Sequence, residues 1–213
     1  IDFERHLITV YNRKYYSDKA FRKFEKLPIS VESQKPYHIA EVQQTKEFFP
    51  AKMPIDLGNS DAMWLFPNRI PTFNYNTPNI DDFLGRGFNG DIYGKRSRIH
   101  ALKLGNNILN EPIVAMPSEE SVKSMNFVKQ RIGSIGADVL KRFTIGFDYK
   151  NGLFFIKKTK SIKEPFRFNM SGLDIKHDGM KWEKDLVKVE LPKLPESSTN
   201  DRGTTIRIQD ASE

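Results

Sequence analysis

A chain of 213 residues with 38% hydrophobic and 12% aromatic residues, 16 of them Phe, can bury a core unaided, and 29% charged residues mark it as globular rather than disordered. No apolar run approaches the roughly 18 residues of a membrane-spanning helix, and the absence of cysteine removes disulfides, thiolate metal ligands and thiol nucleophiles together. The net charge of +7 raises nucleic acid as a partner, but the excess is spread out: Arg96 and Arg98 flank Ser97, Lys157, Lys158 and Lys160 follow a strand-like run, and neither group interleaves aromatics as a stacking platform would.

In chain order the pattern is mostly strand. Residues 1–11 alternate, and Ser17 is placed to cap a helix over 18–26 with Ala20, Phe21 and Phe24 on one face. Strands are expected at 37–42, 48–55, 62–66, 99–104 and 112–116. Ser118 then caps a helix expected over 119–131, with acids in its first turn, bases in its last and Gly133 just beyond. A shorter helix over 137–143 turns Val139, Leu140 and Phe143 inward, and strands follow at 143–147 and 153–157. After Lys160 the texture changes: 165–179 is loop-like, 186–191 alternates, 192–203 is linker-like, and 204–209 is strand-like. Many short strands separated by Gly, Asn and Pro predict a mainly β barrel or sandwich with short helices as covers.

Residues 1–10 also echo 145–156, if two turn residues are added in the second copy. Both read as a hairpin that closes a unit, so the chain is expected to open at the end of one lobe and run through a second.

Of the chemical motifs, most dissolve on inspection. His6, His38, His100 and His177 are scattered, so neither a metal nor a cofactor is expected. Gly85-Arg86-Gly87-Phe88-Asn89-Gly90 fits a dinucleotide or kinase glycine pattern, but no helix, lysine strand or catalytic-loop motif follows. Gly58-Asn59-Ser60-Asp61-Ala62 lacks the last glycine of a nucleophile elbow. The informative stretch is 53–66, where an apolar strand runs into Asp56-Leu57-Gly58 and re-emerges as a second apolar strand. That layout would set Asp56 at the base of a cleft, on backbone that needs glycine to turn. An Asx turn inside a hairpin is the plainer reading of the same residues.

Taken in order, Ile55-Asp56-Leu57-Gly58-Asn59-Ser60, the glycine-rich 85–94, the strand 99–105, and Gly133-Ser134-Ile135-Gly136-Ala137-Asp138-Val139-Leu140 with the closing pair 143–157 resemble the retropepsin-like aspartic proteases. The likeness is to the bacterial gag-polyprotein putative aspartyl protease type and extends over about residues 37–160.

The resemblance implies a closed β-barrel lobe over 17–160; residues 1–16 are read as the closing hairpin of a preceding lobe or as an N-terminal strand, and 161–213 as a C-terminal extension or linker. It implies a catalytic Asp56, an active-site turn of Leu57, Gly58, Asn59 and Ser60, and a flap in which Arg86, Gly87, Phe88, Gly90, Ile92 and Tyr93 meet an extended peptide or protein substrate. Phe88, Ile92 and Tyr93 serve equally as pocket walls or as packing within the flap. One Asp per lobe is the family's arrangement, so an upstream lobe or a second protomer supplies the other carboxylate. The bacterial type also implies a cell-envelope or secreted protein, although the residues themselves leave the cytoplasm open. One departure stands out: Leu57 occupies the place of the Thr or Ser whose hydroxyl ties the two active-site turns together. The alternatives are therefore a catalytically degenerate peptide-binding lobe and, from the charge, a basic β-barrel for nucleic acid, although no nucleic acid is expected as a partner.

Overall fold

Alternation along short segments becomes fifteen strands in the computed structural model, which describes residues 1–12, 18–87, 90–123, 127–168 and 204–207. They are β1 (Leu7–Val10), β2 (Glu25–Pro28), β3 (Ser30–Glu32), β4 (Lys35–Gln43), β5 (Phe48–Pro54), β6 (Met63–Leu65), β7 (Asn79–Gly87) and β8 (Gly90–Arg98). β9 (Ala101–Leu104), β10 (Asn107–Asn110), β11 (Ile113–Pro117), β12 (Gly133–Ile135), β13 (Phe143–Asp148), β14 (Leu153–Lys158) and β15 (Thr204–Arg207) complete them, with helices α1 (Glu119–Val122) and α2 (Ala137–Leu140). The fold is mainly β, and among the described residues no helix is long and apolar enough to cross a membrane.

The strands pair as β12-β6-β11-β8-β7, as β10-β9-β4-β3 with β5 on β4, as β13-β14-β2, and as β1 with β15. All four sheets are open, and no hydrogen-bond ladder closes a barrel among the described residues. The three larger sheets contribute to one main core, in which Met53, Met63, Leu65, Leu102, Ile135 and Phe154 are fully buried. Each such side chain contributes roughly 1.5–3 kcal/mol by leaving water. Phe166 joins this core, and Ile1 and Phe3 pack against it.

Local chemistry explains several junctions. The β13–β14 hairpin turns at Gly152, whose φ of 62° suits glycine, and Asp148 accepts hydrogen bonds from the Asn151 backbone N–H (3.1 Å) and side-chain amide (2.6 Å). The two echoing segments lie edge to edge: the Ile1 nitrogen donates to the Ile145 carbonyl at 2.6 Å and the Ile145 nitrogen to the Ile1 carbonyl at 2.9 Å. Asp2 and Leu7 form a single antiparallel bridge, each backbone N–H donating to the other's carbonyl at 2.8 and 3.0 Å.

All three expected helices are shorter than the sequence suggests. The helix expected over 18–26 is a single 3-10 turn, Asp18–Phe21, and Glu25 already belongs to β2. Residues 25–28 pair with β14, and Phe21 packs on Phe155 with ring centroids 4.5 Å apart, so a sheet edge and an aromatic contact outweigh local helix preference. The helix expected over 119–131 stops at Val122. Ser118 does cap it, accepting from the Ser121 N–H at 3.3 Å, but Arg131 and Ile132 are drawn into pairing with Lys52 and Phe66 instead. The third helix ends at Leu140, because Phe143 opens β13; Val139, Leu140 and Phe143 are buried as expected. The expected strand at 186–191 lies outside the described residues, while Thr204–Arg207 pairs with β1.

His38 on β4 is 5% exposed, with Nδ1 2.8 Å from the Pro28 carbonyl oxygen, to which it donates. Burial lowers its pKa below the ordinary 6.5, against the raising effects of the Pro28 carbonyl and the Glu25 charge. Protonation is therefore easier in the unfolded chain, so this residue's share of stability is full above the ordinary value and is lost as pH falls below it. Thermal melts taken from about pH 7.5 to about pH 5.5 should show a loss of up to about 1.4 kcal/mol per pH unit, and His38→Gln, which keeps a donor toward Pro28 without titrating, should flatten that slope.

Candidate functional site

The site begins with a three-residue strand that serves two neighbours. β12 runs antiparallel to β6, with Ile135 opposite Met63, while Ile55, just after β5, bridges Ile135 in parallel. β5 and β6 are thus joined by a turn that passes over β12, and Asp56 heads that turn with its backbone N–H on the Ile135 carbonyl at 2.9 Å.

The turn is tied at Asp56, Gly58, Asn59 and Asp61. Asp56 Oδ1 accepts from the Gly58 N–H at 3.1 Å, and the Asp56 carbonyl accepts from the Asn59 N–H at 3.4 Å. Asn59 Oδ1 accepts from the Asp61 N–H at 3.0 Å, its side-chain amide reaches Ser134 Oγ at 3.4 Å, and its carbonyl accepts from the Ala137 N–H at 2.7 Å. Asp56 is half-buried, and its Oδ2 makes no hydrogen bond among the described residues. Leu57 is 41% exposed, Gly58 and Ser60 are exposed, and Asn59 is half-buried. This is an Asx turn, and Gly58 does not adopt a left-handed φ, so the expectation that the turn needs glycine for its backbone is corrected: a Cβ there would stand 3.4 Å from Asp56 Oδ1, an ordinary contact.

The glycines that are required lie opposite. A Cβ on Gly136 would come within 2.1 Å of the Asp61 carbonyl oxygen, and one on Gly133 within 2.1 Å of the Trp64 carbonyl oxygen. Gly133 and Gly136 therefore let β12 and the start of α2 press directly on the turn and on β6.

The glycine-rich 85–94 is a hairpin of β7 and β8, with Gly87 opposite Gly90 and a register shift between Phe83 and Gly85. Gly85 (φ 134°) and Gly90 (φ 116°) hold conformations that favour glycine, and no helix follows to cradle a phosphate. Arg86 is exposed and 3.5 Å from the Asp91 carboxylate, and Gly87 is exposed with Gly90 half-buried. Ile92 is buried with Leu84 and Ala115 against Trp64, whereas Tyr93 is 55% exposed and lies edge-on to Phe83 at 5.4 Å. Phe88 lies outside the described residues.

Two charged groups near the turn carry no periodic signal and were not anticipated. Arg96 on β8 reaches Asp61 through Nη1 and Asp82 on β7 through Nε, and Asp61 also accepts from the Trp64 indole N–H at 2.6 Å. Arg131 packs over Phe66 and Phe127, with Nε donating to the Gly133 carbonyl at 3.0 Å. Burial lowers its pKa, and the neighbouring Tyr37 and Asp56 act in the opposite sense, which puts a cation within the electrostatic reach of Asp56.

Two clefts flank this framework. One of about 950 Å³ lies between the hairpin and the 67–77 loop, walled by Phe73, Tyr75, Phe83, Tyr93 and Met116. The other, of about 930 Å³, is lined by Asp61, Asp82, Arg96, Asp138, Arg142 and Phe168. Asp56 lines neither.

No family model matches the sequence, and no curated protein matches it. Among solved structures, a retropepsin-like aspartic protease from Rickettsia conorii aligns with 62% of this chain and 98% of its own at 13% identity, with a TM-score of 0.37. A score of that size fixes neither the fold nor the role of any residue.

The close approach at Gly136 gives a direct test of how the turn is held. Gly136→Ala should destabilise the protein by about 1–3 kcal/mol in chemical denaturation, as overpacking against backbone does, whereas Gly58→Ala should cost under about 1 kcal/mol.

Proposed function

We propose that this chain is one lobe of an aspartic endopeptidase: Asp56 contributes one carboxylate, and extended peptide binds beneath the β7–β8 hairpin. The observation that carries the reading is the seat of Asp56. Its backbone is pinned by β12 and by the Asn59–Ala137 bond, and Oδ2 makes no hydrogen bond among the described residues. A carboxylate held by its backbone and open on one side is what a shared-proton pair requires of each partner.

The chemistry needs two such groups. Two carboxylates within hydrogen-bond distance cannot both ionise, so one proton is shared; the ionised member takes a proton from water while the other donates to the peptide carbonyl. Asp61 is consumed by Arg96 and Trp64, and Asp138 by Lys141 at 2.8 Å, so neither is placed to be the partner. The second carboxylate comes from a preceding lobe or from another protomer, with 1–16 and 161–213 as the flanking segments of a 17–160 lobe. Substrate pairs its backbone with the hairpin in the manner of an added strand. A bacterial envelope or secreted setting fits the same reading.

Leu57 favours a second reading. It presents an exposed isobutyl group where a hydroxyl would tie two active-site turns together, and a lobe without that tie can hold peptide while failing to cleave it.

The purified chain, shown to be monomeric by light scattering, should not cleave a peptide library between acid and neutral pH. Co-expression with the preceding segment should bring cleavage that Asp56→Asn reduces by about a thousandfold with folding intact. Cleavage by the monomer that survives Asp56→Asn would remove the catalytic role, and peptide binding without cleavage in the assembled form, gained as cleavage on Leu57→Thr, would establish the degenerate lobe.

A further inference from the structure

The Arg96 guanidinium divides its donors between two elements that the backbone does not join directly. Nη1 goes to Oδ1 of Asp61, at the end of the Asp56 turn, and Nε goes to Oδ2 of Asp82, on the neighbouring strand of the hairpin. The side chains of Arg96 and Asp61 are only 18% and 12% exposed, so both charges sit in a partly dry environment where charge-assisted bonds are strong. Asp61 cannot turn to another partner, because its Oδ2 is held by the Trp64 indole N–H at 2.6 Å and its backbone N–H by Asn59 at 3.0 Å. Burial opposes the charge on Arg96, but the hydrogen bonds and charges of Asp61 and Asp82 outweigh it and hold its pKa above the ordinary value. A lysine could not replace this fork, since its ammonium is a point charge rather than a planar pair of directed donors.

We propose that Arg96 is a positioning residue that latches both strands of the β7–β8 hairpin to the turn carrying Asp56, so that hairpin and carboxylate are set in place together. β8 enters the latch through Arg96 itself and β7 through Asp82. The turn enters through Asp61, whose carbonyl also accepts from the Asp138 N–H at 3.3 Å. The latch therefore regulates the site assigned above, and its meaning for catalysis rests on that assignment; the coupling itself does not.

A buried ion pair that merely adds stability would not transmit a change made at Asp82 to the turn. The full 213-residue chain, carrying Asp82→Asn, Arg96→Met or both, is compared by hydrogen-exchange mass spectrometry at residues 56–61, with thermal melts to verify folding. Asp82 is 39% exposed, so its substitution is tolerable. Asp82→Asn should speed exchange in the turn about tenfold while Arg96 is present and add nothing in the Arg96→Met background. Trp64 emission, read with Trp182→Phe as background, should shift with Asp82→Asn under the same condition. If Arg96→Met fails to fold, Arg96→Lys takes its place and should likewise abolish the transmission. Faster exchange confined to the hairpin, or an equal effect in both backgrounds, would overturn the latch. Coupling without any Asp56-dependent cleavage in the assembled form would leave the latch standing and remove the peptidase reading; cleavage without coupling would do the reverse.

Discussion

Ile135 bridges Ile55 on one side, its carbonyl accepting from the Asp56 N–H, and faces Met63 on the other, and the candidate site depends on that double duty. A strand of three residues has little pairing of its own to offer. It is stable because it satisfies backbone groups on two segments that would otherwise face each other across a gap, while its side chains fill the core. The connection from β5 to β6 must then cross over it, and the crossing leaves no slack: each of Asp56, Asn59 and Asp61 carries a bond either to β12 or to the start of α2. The turn's rigidity is thus inherited from the sheet beneath it.

Most of the strands were legible because alternation reports which face is buried, and the hairpin at 85–94 because its glycines stand between alternating flanks, whereas β2, β3 and β10 were not read. The Asp56 turn could be placed between two strands for the same reason. What could not be read was competition. Glu25 and Lys26 are ordinary helix formers, and the presence of β14 alongside draws them, with Leu27 and Pro28, into a strand. Arg131 reads as the basic end of a helix, yet the pairing of Ile132 with Lys52 and Phe66 pulls it out. Arg96 and Asp61 are 35 residues apart, and no period or spacing links such a pair before the sheet brings them together. Gly58 misled in a different way: a glycine after an Asp suggests a strained turn, but the side chain of Asp56 makes the turn by itself.

The net charge of +7 also has a different meaning once the contacts are known. Arg98 donates to the carbonyls of Glu111 and Phe166 at 2.8 and 2.9 Å, and Arg142, 3% exposed, donates to the carbonyls of Asp138, Ser161 and Glu164 and lies over the Phe166 ring. With Arg96 and Arg131 these are four cations occupied inside the molecule. Arginine suits the task because a delocalised, weakly hydrated cation loses less on burial than an ammonium and can serve several carbonyls at once. These four side chains thus spend donors on the protein's own groups rather than presenting them all to a polyanion.

The edge-to-edge pairing of Ile1 with Ile145 bears on solubility. β13 is the outer strand of the β13-β14-β2 sheet, and a bare outer strand rich in Phe and Ile is a template on which other chains can pair. Ile1 occupies the middle of that template, and Phe3 packs beside it against the core. Trimming the first few residues would therefore leave most of the core intact and yet change how the protein behaves in a crowd, turning a guarded margin into an adhesive one.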